Sequence, residues 1–386
     1  MEAGDGEPML EGIRVVDLTT VVFGPYCTQM LADLGAEVTK IETPGIGDAY
    51  RWAGTPAKTR GMGPGFIAIN RGKQSLALDL KNADDKARML DLLREADVFV
   101  VNVRGKALER LGLDYDSLRA INPQVIYVHC VGFGQDGPYA DLQAYDDVIQ
   151  AASGTATMLP RVDGNPRARY LPSLIADKVA GLHAAHATLA AIVHRLRTGR
   201  GQHVEVPMLE AFTGFMMLEH LGGLTFDPPN APVGYNRQLE PDRQPFPTSD
   251  GYVSIVPYTD GSWAKVFGLL GAPQVLEDER FADPVSRFHN VAGLYREMAR
   301  LTQGFTTAEL VAKCHAEQIP AQAVRDMGDI LEDPHLAATG FFRRREHPTE
   351  GTYVEMRPPF TFGDYDPPEL APTPHVGEHN AAGETS

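Results

Sequence analysis

The sequence predicts an α/β protein, with an open parallel β-sheet in its main domain and a smaller α/β domain after it. Two observations indicate this class. Over residues 13–208, short apolar runs alternate with stretches of helical periodicity, which is the pattern of repeated βαβ units. A proline-rich stretch at residues 224–247 then separates this region from a second group of predicted helices and short strands.

The first βαβ unit sets the pattern for the sheet. Residues 13–18 are a buried strand, a helix opening at Pro25 stops at Gly35, and residues 37–41 are the second strand. The loop between strand and helix, TTVVFGP, lacks the GxGxxG pattern, so nicotinamide or flavin binding is not expected. Residues 43–68, rich in glycine and proline, are predicted to be a long loop. Three further apolar runs extend the sheet: residues 75–80, 98–101 and 125–131.

The smaller domain is predicted from the elements that follow the proline-rich stretch. They comprise a strand at residues 252–256, helices at about 261–270, 290–303 and 306–317, and a strand at 321–324.

A long predicted helix begins at Asp177 and ends before Gly199. Between Val179 and Leu196, apolar residues recur at spacings of three and four. An aspartate at a helix start has two interpretations. It is an N-cap, because aspartate is a leading cap residue, or it is a nucleophile that the helix N-terminus keeps ionised. In the second case, Asp177 is expected to be the only acid at this helix start.

The composition is that of a globular enzyme with an acidic surface. The 386 residues carry a formal net charge of −16, which argues against nucleic acid or an anionic membrane as a partner. The three cysteines are far apart in the sequence, so neither a disulfide framework nor a zinc site is expected, and a cytoplasmic location fits. His183 and His186 lie one helical turn apart but have no further ligand nearby, so no metal site is expected.

Several basic residues stand near predicted strand ends. In an open α/β sheet, ligands bind outside the carboxyl ends of the strands. These side chains therefore either bind a polyanion such as a nucleotide diphosphate or are ordinary solvated charges, and their spacing leaves both possibilities open. They are Arg71, Lys73, Arg104, Lys106 and Arg110.

The chain as a whole resembles the family III CoA-transferases, the formyl-CoA transferase-like group that also includes 2-methylacyl-CoA racemases. The resemblance spans roughly residues 10–379. The stretches that carry it are LEGIRVVDLTTVVFGPYCTQMLADLGAEVTKIE, NRGKQSLALDLK, LERLGLDYDSLRAINPQVIYVHCVGFGQDGPY, the run from YDDVIQAASG through RTGRGQHVEVPMLEA, DPHL and APTPHVGEH.

The resemblance implies a Rossmann-like large domain built from both ends of the chain, with a smaller α/β domain inserted between them, in an interlocked homodimer. The expected bounds are residues 1–223 for the first part of the large CoA-binding domain, 224–247 for a linker, 248–330 for the small domain and 331–386 for the return segment.

The resemblance also implies that Asp177 is the catalytic residue and that CoA is a substrate rather than a permanently bound cofactor. Ala176 stands where the family has glycine, Val103 where it has an aromatic residue, and Gln143 where formyl-CoA transferase has lysine. The implied CoA contacts are Thr20, Val21, Phe23, Gly24, Arg71, Lys73, Asn102, Val103, Arg104, Arg110, Gln143 and Tyr145.

The implied reaction moves CoA from an acyl-CoA thioester to a free carboxylic acid through an aspartyl anhydride and an aspartyl-CoA thioester. Backbone N–H groups at Gly132 and Gly134 are candidate donors to the oxyanion. The alternative is a 2-methylacyl-CoA racemase, which abstracts an α-proton. In those enzymes a histidine precedes the aspartate after GPY, whereas here the pair is Tyr145 and Asp146, so the base is missing.

Overall fold

The computed structural model describes residues 8–363, 367 and 369–380. Within them the chain forms two compact units. The first takes the described residues up to Ala156, then Tyr170–Leu218, and those from Pro334 onward; the second comprises Thr157–Arg169 and Glu219–Asp333. Residues 157–169 thus belong to the second unit, although the boundaries expected from the sequence assigned them to the large domain.

The strands lie in three separate sheets, described below. They are β1 (Arg14–Leu18), β2 (Glu37–Glu42), β3 (Gln74–Ala77), β4 (Val98–Val101), β5 (Ile126–Val131), β6 (Gln202–Pro207), β7 (Phe246–Pro247), β8 (Tyr252–Ile255), β9 (Ala321–Ala323), β10 (Phe342–His347) and β11 (Gly351–Met356).

The α-helices vary from single turns to one long element, α8. They are α1 (Phe23–Asp33), α2 (Pro64–Ala68), α3 (Ala83–Glu95), α4 (Gly105–Leu111), α5 (Tyr115–Ile121), α6 (Asp146–Ala152), α7 (Met158–Asp163), α8 (Ile175–Thr198), α9 (Met208–His220), α10 (Asn236–Leu239), α11 (Asp260–Leu269), α12 (Pro284–Thr302), α13 (Thr307–Ala316) and α14 (Pro334–Ala338).

The first unit is built on a six-stranded parallel sheet with the order β3-β2-β1-β4-β5-β6. This is the strand order of Rossmann-like folds, and the predicted parallel α/β sheet is confirmed. Every residue of β4 and β5 is buried, which explains why β4 reads as a continuous apolar run and why only His129 interrupts the run of β5. The strand order reverses between β1 and β4, so their carboxyl ends flank the crevice where such sheets bind ligands.

Helix α8 packs its small side chains against α1. Ala176, Ala180 and Ala184 recur every fourth residue and are buried. Gly181 allows the two backbones to approach, because a Cβ atom there would lie 3.0 Å from the carbonyl oxygen of Phe23. The helix ends at Thr198, where the next residue is a glycine with a φ of +69°. This close packing brings the first turn of α1 against the first turns of α8.

The second unit has its own three-stranded antiparallel sheet, in the order β7-β8-β9. Its core includes Trp263, Phe267, Leu294 and Met298 from helices α11 and α12. Helix α12 begins at Pro284, where Asp283 caps it and proline suits its first position. Its backbone departs from helical geometry at Asn290, the residue at which the predicted helix starts.

The long loop predicted at residues 43–68 contains two short helical segments, a 3-10 helix at Ala49–Trp52 and the helix α2. Asp48 caps the 3-10 helix and Pro64 opens α2.

No helix in the described part of the chain combines the length and the apolarity needed to cross a bilayer.

Candidate functional site

Asp177 is the third residue of α8, not its cap. Leu174 occupies the N-cap position, and the side chain of Asp177 lies inside the fold, with the residue 6% exposed. A capping side chain precedes the helix and accepts a hydrogen bond from a backbone N–H two or three residues on. The interpretation of Asp177 as an N-cap is therefore wrong.

A second carboxylate, Asp146 in α6, satisfies the start of α8. Its Oδ1 accepts hydrogen bonds from the backbone N–H groups of Ala176 at 2.7 Å and Asp177 at 3.1 Å. Its Oδ2 accepts one from Nε2 of Gln150 at 2.7 Å. The expectation that no other acid stands at this helix start is wrong. Helical periodicity does not reveal this role of Asp146, because the helix that Asp146 caps begins 29 residues later in the chain.

The environment of Asp177 favours the protonated carboxyl more than the sequence suggests. Its pKa is raised to about 7, first by burial and then by the neighbouring carboxylate of Asp146, while a backbone hydrogen bond from Phe23 opposes the shift. The starts of α1 and α8 favour negative charge, but burial and Asp146 outweigh them. The ionised form of Asp177 is poorly hydrated in this setting, because the residue is buried.

The loop between β1 and α1 lies at the switch point of the sheet. At the end of β4, the Asn102 side chain accepts a hydrogen bond from the backbone N–H of Thr20 at 3.1 Å and donates one to its carbonyl at 3.0 Å. Val21 has a φ of +71°, in a region that β-branched residues rarely adopt. Its N–H donates to Oδ1 of Asp48 at 2.9 Å. Thr20 and Asn102, two predicted site residues, are thus joined directly.

Phe23 and Gly24 contribute to the site through their backbones. The Phe23 ring is part of the hydrophobic core, and its backbone makes a hydrogen bond to Asp177. A Cβ atom at Gly24 would lie 2.4 Å from Cβ of Thr19, so a side chain at Gly24 would displace this loop. Sequence reasoning placed both residues at the site but did not distinguish backbone from side-chain contacts.

Lys73 and Arg71 lie inside the protein, paired with carboxylates. The Lys73 ammonium is fully buried, 3.2 Å from Oδ2 of Asp17, and donates to the Thr28 hydroxyl at 2.7 Å. Arg71 is 6% exposed and donates to Asp33 at 2.6 Å. Nζ of Lys73 also donates to the Pro25 carbonyl at 3.0 Å and to Oδ1 of Asn70 at 2.9 Å, so protein oxygens occupy all three ammonium protons. We assign both side chains to the support of α1, and their role as CoA contacts stays a prediction.

The remaining predicted CoA contacts lie at or beyond the carboxyl ends of β4 and β5. Val103 packs against the core beneath α4, and Arg104 stands exposed at the N-cap of that helix. Arg110 is exposed on the same helix, and Gln143 and Tyr145 are exposed between β5 and α6. In the described residues, no hydrogen bond or ion pair joins these five side chains to Asp177.

Beneath the β1–α1 loop lies a cluster of buried charges that sequence reasoning missed. Nζ of Lys40 lies 3.0 Å from Oδ2 of Asp48 and donates to the Thr19 carbonyl at 2.7 Å. Arg51 donates to both carboxylate oxygens of Glu42, at 2.7 and 2.6 Å. These four charged side chains are at most 1% exposed. Because breaking one buried pair costs about 3–5 kcal/mol, the cluster holds the loop in place.

The other expectations for the site concern the oxyanion donors and metals. The Gly134 N–H donates to Oε1 of Glu210 at 3.0 Å, so the expectation that it is free for an oxyanion is wrong. Among the described residues, no group of three or more His, Cys, Asp or Glu side chains could hold a metal ion.

Known proteins resemble this chain over nearly its full length. The sequence model described as CoA-transferase family III matches residues 10–380. The chain is 32% identical to the succinate–glutarate CoA-transferase of Agrobacterium fabrum, covering 97% of this chain and 94% of that protein. It is 31% identical to the formyl-CoA:oxalate CoA-transferase of Shigella sonnei, covering 97% of this chain and 94% of that protein.

A solved structure also resembles this chain over nearly its full length. A protein from Mycobacterium tuberculosis, in an orthorhombic crystal form, superposes with a TM-score of 0.85 at 31% identity, covering 98% of this chain and 99% of that one. The family match, the two relatives and this structure each extend over nearly the full length. The chain therefore belongs to CoA-transferase family III.

Proposed function

We propose that this enzyme transfers CoA from an acyl-CoA thioester to a free carboxylic acid, with Asp177 as the nucleophile. The observation that carries the proposal is the placement of Asp177: a buried carboxylate against the start of α1, beside the loop that follows β1 in a Rossmann-like sheet. Buried, weakly hydrated carboxylates attack more readily than exposed ones, since less water must be removed.

The reaction proceeds by four exchanges at one carboxylate. An Asp177 oxygen attacks the thioester carbonyl, the C–S bond breaks, and CoA leaves as a thiolate, which gives a mixed anhydride. The thiolate attacks the Asp177 carbonyl of that anhydride and releases the donor acid, so an aspartyl-CoA thioester remains. The acceptor carboxylate attacks this thioester and expels the thiolate again. The thiolate finally attacks the acyl carbonyl of the new anhydride, which yields the product acyl-CoA and frees Asp177.

CoA is proposed to lie along the carboxyl ends of β1 and β4, near Thr20, Val21 and Asn102. The contact between Thr20 and Asn102 at the switch point supports this placement. The exposed side chains Arg104, Arg110, Gln143 and Tyr145 remain proposed contacts for the nucleotide and pantetheine parts.

Arg110→Ala tests this placement. We expect CoA affinity to fall about tenfold, because a charged contact to a phosphate contributes about 1.5 kcal/mol or more. Arg119→Ala is the matched control, since Arg119 is also exposed on a short helix next to the sheet. Calorimetric titration with CoA measures both variants, and equal affinity in the Arg110→Ala variant and wild type would show that CoA binds elsewhere.

Asp146→Asn tests the electrostatic link to Asp177. Removing the neighbouring charge should lower the pKa of Asp177, so kcat/KM should begin to rise at lower pH than in wild type, by on the order of one unit. The asparagine oxygen can still accept from the Ala176 N–H, although its amide group meets the donating amide of Gln150. Asp147→Asn is the control, because Asp147 is exposed on the same helix. Unchanged pH profiles in both variants would contradict the link.

The reaction class is tested with a panel of acyl-CoA donors, succinyl-CoA and glutaryl-CoA first, against free carboxylic acids. The two dicarboxylates are chosen because a relative of this chain is named for them. Product thioesters identified by mass spectrometry are expected. Exchange of the substrate α-hydrogen with deuterated water, without any transfer, would indicate a racemase instead; the exposed Tyr145 in place of a histidine disfavours that outcome.

The assembly and location are proposals as well. We propose an interlocked homodimer in which the second unit is an inserted domain. Exposed apolar side chains on α8 and α9, including Leu196 at 74% and Leu218 at 86%, offer a surface for a second copy. Sedimentation as a stable monomer on dilution would contradict the dimer.

Three buried free cysteines fit the reducing cytoplasm, which we propose as the compartment.

A further inference from the structure

The β1–α1 loop passes through one residue with an uncommon backbone conformation. Val21 has a φ of +71°, which lies in the left-handed region. A β-branched side chain is crowded there, so this conformation persists only where the surrounding structure holds it. Residues held in this way are concentrated at functional sites. The conformation of Val21 therefore requires a physical support and indicates a function.

The support is the buried carboxylate of Asp48. Its Oδ1 accepts hydrogen bonds from the backbone N–H groups of Val21 and Tyr50, both at 2.9 Å. Its Oδ2 lies 3.0 Å from Nζ of Lys40, and its own backbone N–H donates to Oε2 of Glu42 at 2.9 Å. The carboxylate is thus held at both oxygens and at its backbone, so it is a rigid acceptor for the Val21 N–H.

The segments on either side of Val21 have anchors of their own. On one side, the Asn102 side chain accepts from the Thr20 N–H at 3.1 Å and donates to the Thr20 carbonyl at 3.0 Å. On the other side, the Pro25 carbonyl accepts from Lys73 at 3.0 Å. Asp48 therefore fixes the middle of a short segment whose two ends are already tied.

The segment leads directly to the proposed nucleophile. Helix α1 begins at Phe23, two residues after Val21, and the Phe23 backbone makes a hydrogen bond to Asp177. Gly181 follows Asp177 by one helical turn of α8. A Cβ atom at Gly181 would lie 3.0 Å from the Phe23 carbonyl oxygen and 3.0 Å from Cδ1 of Tyr26. The start of α1 is thus packed closely on the turns of α8 that carry Asp177, so a change in chain direction at Val21 acts on the nucleophile within two residues.

We propose that Asp48 is a positioning residue for CoA transfer, which acts on Asp177 through the backbone of the β1–α1 loop. It holds Val21 in the left-handed conformation, and this conformation keeps the Phe23 N–H directed at the nucleophilic carboxylate. One carboxylate oxygen is then held by a hydrogen bond while the other attacks the thioester, and an oriented nucleophile reacts faster than a mobile one. The inference rests on the proposed role of Asp177.

Asp48→Ala and Asp48→Asn in the full-length enzyme test the proposal by single-turnover kinetics. Both variants lose the charge that faces Lys40, so both should be less stable than wild type, but only asparagine keeps an acceptor oxygen for the Val21 N–H. Formation of the covalent adduct from acyl-CoA should slow about 100-fold in Asp48→Ala, and Asp48→Asn should recover at least about tenfold of that loss. CoA affinity, measured by calorimetric titration, should stay within about threefold of wild type in both variants, because Asn102 still holds Thr20.

A second pair of variants leaves the buried charges in place, so it tests the proposal even if the Asp48 variants do not fold. Val21→Pro removes the N–H and fixes φ at about −65°. Val21→Gly keeps the N–H and adopts a positive φ without steric cost. Adduct formation should therefore be at least about tenfold slower in Val21→Pro than in Val21→Gly.

The outcomes separate this inference from the proposed function. If wild type forms the Asp177 adduct while folded Asp48→Ala and Asp48→Asn form it at equal rates, the positioning role is overturned and the nucleophile stands. Equal rates in Val21→Pro and Val21→Gly also overturn it. A loss of rate that merely equals a loss of CoA affinity does the same, because the loop would then contribute only uniform binding. If wild type forms no adduct, the proposed function itself fails.

Discussion

The Asp177→Asn enzyme is expected to fold and to bind CoA, but to lose CoA transfer by about 10⁴-fold or more. An amide cannot form the anhydride, and the other carboxylate at this site, Asp146, is held by two backbone N–H groups and Gln150. Asp146 is thus engaged in capping α8 and is not free to replace the nucleophile. Steady-state transfer assays with the best donor and acceptor from the panel measure the loss.

The matched control for this variant is Asp147→Asn, which removes an exposed carboxylate next to Asp146. It should keep wild-type transfer, because nothing in the proposed reaction uses that charge. Full activity in Asp177→Asn would show that Asp177 has only a structural role.

Asp177→Asn should also make the protein more stable above neutral pH. The folded-state pKa of Asp177 is about 7, against about 3.9 for an unfolded aspartate. Because the folded state holds the proton more tightly, the stability from this group is complete below about pH 4 and is lost as pH rises to about 7. A shift of about three units corresponds to roughly 4 kcal/mol, so the variant should exceed wild type by up to about 4 kcal/mol at about pH 8.

Urea unfolding at several pH values measures this effect. The difference in free energy of unfolding between Asp177→Asn and wild type should be largest at about pH 8 and should shrink toward about pH 4. A difference that does not change with pH would show that Asp177 titrates normally in the folded protein. A less stable variant at every pH would show that the carboxylate stabilises the fold, as a capping group does.

The parallel sheet and the long helix could be predicted from local patterns. Strand β4 reads as a continuous apolar run because both its faces are buried, and α8 shows its helical period because one face packs against α1. The position of Asp177 near the start of α8 also followed from the sequence, since the helical period begins at Val179, although the helix itself begins at Ile175. These features depend on neighbours within a few residues in the chain.

The features of the site that were predicted wrongly or missed depend on contacts between residues that are far apart in the chain. Asp146 acts on α8, and Asp48 acts on Val21 from 27 positions away, so no local pattern reveals either contact. Lys73 has the sequence context of a solvated strand end, but Asp17, 56 positions earlier, draws it into the core. A lysine before a strand looks the same in both situations. Only the packing of α1 on the sheet distinguishes a buried ion pair from a phosphate contact.

The central claim is that Asp177 becomes covalently attached to the substrate, and peptide mapping of trapped enzyme tests it most directly. Wild-type enzyme is mixed with acyl-CoA without an acceptor, trapped with hydroxylamine or borohydride, digested and analysed by mass spectrometry. We expect the modification on the peptide that carries Asp177, and none in the Asp177→Asn enzyme. A modification on Asp146 or on any other residue, or active enzyme that is never modified, would contradict the account.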